Sequence, residues 1–418
     1  MTQRYDTYKD SGVQWLGEIP GHWEMSKISS HFRQRNEKVS DKDYPALSVS
    51  KQGVTPQLDN VALSNAEGTS RKLVKVGDYA VNSRSDRKGS CGVSKYEGSV
   101  SLITIVLEPF NIKGEYVHYL FRSNPWVEEF YRNGRGIVAD LWTTNYQMMK
   151  SMYMPVPPLS EQRSIVSFLD AKCGKIDEWV TKKQKEVEHL QELKQRVIAD
   201  AVTRGLNPHV KMKATNIPWL KEIPEHWENK RLAAMFTDDI ETNKDFQYKR
   251  AFKFNYGCLV PKNEIGDPEE YRDVYVKYSI LNTGDILING LNLNYDFISQ
   301  RVACAPSDGI ITSAYVVCRP RPNVNYDYYT YLFKAMDSMK LFHGMGTGIR
   351  LTLSFKELKK QILPVPPIEE QLAIVMFIND KTSKIDKLIA NITKEIDCIK
   401  EYKQRLISDV VTGQIKVC

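Results

Sequence analysis

Trp15-Leu-Gly-Glu-Ile-Pro-Gly-His-Trp-Glu24 returns as Trp219-Leu-Lys-Glu-Ile-Pro-Glu-His-Trp-Glu228, with eight of ten positions identical at an offset of 204. A second pair follows: Pro155-Val-Pro-Pro-Leu-Ser-Glu-Gln162 and Pro364-Val-Pro-Pro-Ile-Glu-Glu-Gln371, at an offset of 209. The 209 offset then holds without a gap through Lys175-Ile-Asp177 and Lys384-Ile-Asp386, Lys194-Gln-Arg196 and Lys403-Gln-Arg405, and Val202-Thr203 and Val411-Thr412. A repeat of this kind dictates architecture before any single residue does. Each half of the chain has a fixed frame around a middle that matches its counterpart only faintly, at Gly77-Asp78 with Gly284-Asp285 and at Gly134-Arg-Gly-Ile137 with Gly346-Thr-Gly-Ile349. An old duplication under drift is the plain account. Drift alone does not spare one segment and erase its neighbour, so the pattern favours a scaffold that presents two different readers.

The repeated C-terminal part of each half reads as helix. Pro-Val-Pro-Pro stops whatever precedes it. Ser160 is the expected N-cap of a short helix to about Ala171, with Gly174 expected to break it from a longer helix ending near Arg204. Positions 176, 180, 183, 187, 190, 194, 197 and 201 hold Ile, Val, Lys, Val, Leu, Lys, Val and Ala. The second copy, from 385 to 410 in the same spacing, holds Ile, Ile, Ile, Ile, Ile, Lys, Leu and Val. Apolar residues alternating four and three apart mark a coiled-coil seam. Lys194 and Lys403 share one seam position, where a polar residue sets register or snorkels from the edge. Two helices of about 30 residues would each span about 45 Å and satisfy each other's seam.

The middles read as mixed α/β. Strand-like runs are Ser99–Leu107, Asp285–Ile288 and Gly309–Cys318; helical runs are Glu115–Tyr131 and Asp327–Phe342. The expected class is α+β, with two mixed α/β domains, two long coiled-coil helices and an internal repeat.

The chain has 418 residues, 42% hydrophobic and 26% charged, as in ordinary multidomain globular proteins. Its polar start, MTQRYDTYKD, shows neither a signal peptide nor a membrane span, so a cytoplasmic protein is expected. Seven widely spaced cysteines without a CxxC pair argue against a disulfide framework or a zinc site. There is no GxxxxGK[ST] loop, GxSxG, HExxH or Asn-Pro-Pro-Tyr-like run. Asn207-Pro-His209 reads as a helix-ending turn. No catalytic, cofactor or metal residues are expected. The net charge of +7 permits a polyanionic partner without demonstrating one.

The tandem motifs and the long helices after them resemble the specificity subunit of type I restriction–modification systems, over the whole chain. The resemblance implies a non-catalytic DNA-binding protein divided as 1–158, 159–208, 209–366 and 367–418. The first and third parts would be target-recognition domains, with cores at about 20–155 and 224–364. The second and fourth would be helical spacers, the two long helices pairing antiparallel between the domains with pseudo-two-fold symmetry. Each recognition domain would read one half of a split double-stranded DNA site, the helices setting the gap. Partners would be two modification subunits, which hold S-adenosylmethionine and methylate adenine, and ATP- and Mg-dependent restriction subunits; this chain would hold no cofactor. A helix of about 45 Å exceeds one DNA turn of about 34–36 Å, enough to bring two readers to one face of the duplex.

Candidate DNA contacts in the first domain are Arg71, Lys72, Arg84, Arg87 and Lys88, in a window with seven basic residues and two acids, together with Lys51 and Arg135. Lys and Arg neutralise phosphates, and Arg forks onto guanine. The second domain carries Asn289, Asn292 and Asn294 in the matching window, where Asn pairs with adenine or simply serves turns. Lys249, Arg250, Lys253 and Arg350 are its basic candidates, and the stretch 244–254 would correspond to about Ala46–Gly53. The Gly-x-Gly turns would offer backbone N–H groups to phosphates or act as simple tight turns. The Trp pairs and the Glu-Gln pairs read as frame residues. Two further readings compete: a coiled-coil assembly protein whose variable domains bind proteins, and a stand-alone nuclease or methyltransferase.

Overall fold

The computed structural model describes residues 3–57, 70–136, 142–262, 267–348 and 351–417. It divides into two compact units, Met1–Gln184 with Thr393–Cys418, and Lys185–Ile392. Each unit is built from one frame, one middle, and half of each of two long helices, Leu159–Arg204 and Ile368–Val411.

The two middles share one sheet topology. In the first unit, four antiparallel strands lie in the order Cys91–Val93, Tyr79–Asn82, Thr104–Pro109 and Phe32–Gln34. In the second, the same chain order gives Val302–Cys304, Ile286–Ile288, Val316–Pro320 and Phe236–Thr237. The smaller ladders also correspond. Arg71–Val74 pairs with Gly98–Val100 and Ser279–Leu281 with Gly309–Ile311. The hairpin Leu47–Ser50/Gly53–Pro56 answers Phe252–Asn255/Cys258–Pro261, which shares only residues 252–254 with the stretch 244–254 expected to correspond.

The Gly-Asp pairs explain how divergent sequences hold one topology. Gly77 and Gly284 both take a positive φ, at 91° and 89°, which glycine adopts without strain. Each following Asp is buried and accepts the N–H three residues before it, from Lys75 and Asn282, both at 2.8 Å. Each also takes a guanidinium, but from a different place: Arg35, just past the strand Phe32–Gln34, brings Nε to Asp78 at 2.6 Å, and Arg319, within the strand Val316–Pro320, brings Nη2 to Asp285 at 2.9 Å. The turn chemistry is shared, and the source of the balancing charge is not.

The frames are built alike. Glu24–Lys27 pairs with Tyr153–Val156, and Glu228–Arg231 with Ile362–Val365. The two repeated motifs touch: His22 Nε2 lies 2.8 Å from Glu161, and His226 Nε2 lies 2.7 Å from Glu370. Gln162 and Gln371 each donate to the carbonyl five residues earlier, Pro157 and Pro366, at 2.8 Å. Trp23 and Trp227 are fully buried.

Each frame is closed by the end of the other copy's helix. Gly413 (φ 77°) ends the second helix so close to Pro20 and Trp23 that an added Cβ would lie 2.3 Å from Pro20 Cδ. Gly205 (φ 75°) ends the first helix against Glu370 and Trp227, where a Cβ would lie 2.7 Å from Glu370 Oε1. Glycine is needed twice over, for the left-handed turn and for the close approach. Tyr116 Oη donates towards Pro155 O and Val411 O at 3.1 and 3.3 Å. In the second unit two tyrosines share that work: Tyr328 reaches Val202 O and Tyr329 reaches Pro364 O.

Within each unit the helical segments run antiparallel. Lys403 meets Asp177 while Gly413 lies beside the frame that Glu161 joins; Lys194 meets Asp386 while Gly205 lies beside Glu370. All sixteen expected seam positions are buried or half-buried, and intervening residues such as Lys182, Gln184 and Lys185 are exposed. The heptad reading therefore holds at residue level.

Five expectations are corrected. Gly174 does not break the helix, which is continuous for 46 residues, about 69 Å at 1.5 Å per residue. A single glycine costs about 1 kcal/mol against alanine, and the burial of Leu169 and Cys173 on one side and Val180 on the other exceeds that. Ser160 lies inside the first turn rather than capping it; Gln162 N–H donates to Pro158 O. Ser99–Leu107 and Gly309–Cys318 are each two strands, interrupted at Ser101–Ile103 and at 312–315, because the chain moves between two sheets there. Glu115–Tyr131 is two helices, Gly114–Leu120 and Asn124–Arg132, the second opened by Pro125. No described helix is long and apolar enough to cross a membrane.

Candidate nucleic-acid interface

In both units the loop after the central strand is stitched by backbone bonds to the segment after the Gly-x-Gly turn. In the first unit Thr144 N–H donates to Ser83 O at 3.0 Å, Ser85 N–H to Trp142 O at 2.8 Å, and Arg135 and Thr143 exchange both bonds. In the second, Leu353 N–H donates to Gly290 O at 2.9 Å, and Thr347 and Thr352 exchange both bonds. The N–H groups of Arg135 and Thr347 are therefore used by the turns themselves, which fits the simple tight-turn alternative and removes these two donors from the phosphate one. Gly290 has no room for a side chain, since a Cβ would lie 2.5 Å from Leu353 O. The loop between the paired residues Val81 and Cys91 is shorter than that between Ile288 and Val302, and the Arg135–Thr143 hairpin is longer than Thr347–Thr352. Length varies at these loops while the strands behind them keep their pairing.

In the first unit this arrangement brings Arg84, Thr143 and Arg135 side by side. Arg84 is tied to Asp86 in a two-pronged pair at 2.9 and 3.0 Å. Lys88 reaches Glu128 at 2.9 Å. Arg87 and Arg135 are exposed, Arg87 with its Nε 3.8 Å from Asp86. Lys51 is exposed at the turn of the hairpin 47–56.

Two candidates do structural work instead. Arg71 is buried, donating through Nε to Ser99 Oγ at 2.9 Å and through Nη2 to Ser99 O at 3.1 Å. Lys72 Nζ donates to Thr104 O at 2.8 Å. Burial pushes the pKa of both down. A sequence window counts such cations with the exposed ones because strand alternation in so short a run does not say which face is inside.

In the second unit Asn289 Oδ1 accepts Leu291 N–H at 3.2 Å, as Asn82 accepts Arg84 N–H at the matching place. Asn292 is exposed at φ 51° and Asn294 is half-buried. Lys249 pairs with Glu269 at 2.7 Å, Arg250 lies over the ring of Phe252, and Lys253 is exposed on a strand whose Phe252 faces the core. Arg350 lies outside the described residues.

One structural residue was not singled out in the sequence. Arg301 is fully buried and holds the loop from beneath, donating through Nη1 to Asn289 O and Leu291 O at 2.9 Å and through Nη2 to Asp296 O at 2.6 Å. Its main-chain N–H donates to Asp337 at 2.7 Å. Asp296 accepts the N–H groups of Ser299 and Ile298, which hold its carboxyl down at about 2. His343 stacks on Phe297 at 4.6 Å. Among the described residues no cluster of His, Cys, Asp or Glu is arranged to hold a metal ion.

The model for the type I restriction modification DNA specificity domain matches residues 224–397. The chain is similar to the type I restriction enzyme MjaVIII specificity subunit of Methanocaldococcus jannaschii, 24% identical across 96% of this chain and 94% of that one. It is also similar to the putative type I restriction enzyme MjaX specificity subunit of the same organism, 23% identical across 96% of each. Among solved structures, a chain from "Structural basis underlying complex assembly and conformational transition of the type I R-M system" shares the fold, with a TM-score of 0.66 over 94% of this chain and 98% of that one at 14% identity. Twin frames that hold unlike loops, a type I restriction modification DNA specificity domain matched at residues 224–397, and likeness along nearly the full length together make the chain similar to the specificity subunits of type I restriction–modification systems.

Proposed function

We propose that this chain binds a bipartite, asymmetric double-stranded DNA site, one half per recognition domain, and directs adenine methylation or restriction by partner subunits without a catalytic centre of its own. The observation that carries the reading is one scaffold with two chemistries at the same place. Lys51 and Tyr256 both occupy the first position of the equivalent hairpin turn, and the Arg84–Arg87 loop answers the Asn289–Asn292 loop. Phosphate contacts position a protein on DNA and base-edge contacts specify sequence. Exchanging loops over a constant sheet changes the second without losing the first.

The four-part division 1–158, 159–208, 209–366 and 367–418 follows from this reading, with the paired helices setting the gap between half-sites. Two modification subunits, which would carry S-adenosylmethionine, and ATP- and Mg-dependent restriction subunits are the proposed partners, in the cytoplasm. The test is fluorescence anisotropy with labelled duplexes and the chain in complex with its modification subunit, at about 50 and about 200 mM salt. Site-specific binding that weakens steeply with salt supports the reading. Binding to no duplex at either salt would favour the assembly-protein alternative.

A further inference from the structure

The second unit's loop carries a feature that DNA binding in general does not require. Between Ile288 and Arg301 the only charged residue is Asp296. Its exposed large apolar side chains are Tyr295, 79% exposed, Ile298, 93% exposed, and Phe297, 54% exposed and stacked on His343. The adjoining hairpin turn adds Tyr256, 77% exposed, and it adjoins this loop, since a Cβ on Gly257 would lie 2.6 Å from Gln300 Oε1. Single exposed apolar residues need no explanation, but several on one braced loop and its adjoining turn mark a contact surface. This support is rigid: Arg301 binds three of the loop's carbonyls, Asp296 binds two of its N–H groups, and His343 clamps Phe297. The corresponding loop of the first unit presents Arg84, Arg87 and Lys88.

We infer that the second recognition domain reads its half-site through an apolar contact, with Ile298, backed by Tyr295, packed on the C5 methyl of a thymine in the major groove. The inference rests on the DNA-binding reading above and deepens it. The thymine methyl is the only apolar group that a base pair presents in that groove, and it distinguishes A·T from the other pairs without a hydrogen bond. An uncharged loop that projects an isoleucine suits that group and suits phosphate poorly. Asn292, exposed on the same loop, is placed to accompany the contact with an adenine edge.

The test uses the chain in complex with its modification subunit. The half-site of the second domain is first located from the methylated sequence. Each thymine in both half-sites is then replaced singly by deoxyuridine, which removes only the methyl group. Binding is measured for the wild type, Ile298→Ala and Tyr295→Ser. One uracil in the second half-site is expected to weaken wild-type binding about fourfold, the value of one buried methyl group. Ile298→Ala is expected to bind thymine and uracil duplexes equally, with both variants keeping their response to uracil in the first half-site. Wild-type indifference to uracil throughout the second half-site overturns the inference while leaving DNA recognition standing, as does a uracil penalty that survives Ile298→Ala. Loss of the modification subunit from Ile298→Ala, with no uracil effect, assigns the surface to a protein instead and also overturns it. Wild-type binding to no duplex at all removes the underlying reading, a result that differs from each of the others.

Discussion

Lys403 holds Asp177 with its ammonium 2.7 Å from both carboxylate oxygens, and the repeat-related Lys194 holds Asp386 at 2.7 and 2.8 Å. In each unit a seam lysine of one helix copy takes an aspartate of the other. Both aspartates are more than half exposed, so each pair contributes at most about 1 kcal/mol. Their role is register rather than stability. We expect Lys403→Glu to lower the thermal midpoint by a few degrees and Lys403→Glu with Asp177→Lys to restore most of it. Lys403→Ile should raise it while loosening the alignment. A double-mutant cycle followed by thermal unfolding checks this; a double exchange no better than the single one would contradict it.

Arg301 is expected to be the support of the second reading loop. Arg301→Met leaves three half-buried carbonyls without their donor, at a cost of about 3 kcal/mol in total. Hydrogen exchange should show the amides of Leu291, Ile298 and Ser299 losing protection while the sheet residues Leu287 and Val317 keep theirs. Equal loss in both would mean the arginine holds the sheet rather than the loop.

The frame, the helix seams and the Gly-Asp turn were legible because each is written twice and rests on local rules: a 3.5-residue period, a glycine in a left-handed turn, a proline stop. What escaped the sequence depends on long-range burial. Nothing near Gly174 shows that packing on both sides carries the helix through it. Arg71 and Arg87 look alike in a basic window, yet Ser99, 28 positions away, makes the first structural. Nothing in the sequence around Arg301 marks it as structural; three carbonyls of its own loop make it a buried hub. The common topology of the middles was invisible because their equivalent charges come from non-equivalent places, Arg35 just past one strand and Arg319 within another.

That distinction between cations is testable. Arg71→Met should destabilise the first unit by about 1–3 kcal/mol through unpaired buried groups. Arg87→Ala and Arg135→Ala should leave the thermal midpoint unchanged and weaken DNA binding. Each that contacts a phosphate should make the slope of log affinity against log salt shallower by about 1. Binding lost only through Arg71 would reverse the assignment.

His118 gives the first unit a pH dependence. Burial, with help from the neighbouring Arg122 guanidinium, pushes its pKa down to about 4. Arg122 Nη1 donates to its Nε2 at 3.1 Å, which requires the neutral ring. The unfolded chain binds a proton near pH 6.5, well before the folded one does. This contribution is complete above pH 6.5 and is lost as pH falls towards 4, about 3 kcal/mol over that window. Denaturant titrations at pH 7 and at about pH 4.5 should show this loss in the wild type and a smaller one in His118→Gln. Equal losses would exclude His118 as the source.

The central claim is that one frame carries two independent readers. Its most direct measurement is to exchange residues 20–155 for the matching segment of another specificity subunit and sequence the methylated sites made with the modification subunit. The account expects one half of the site to change, with the other half and the gap kept. A change in both halves, or in neither, would contradict it.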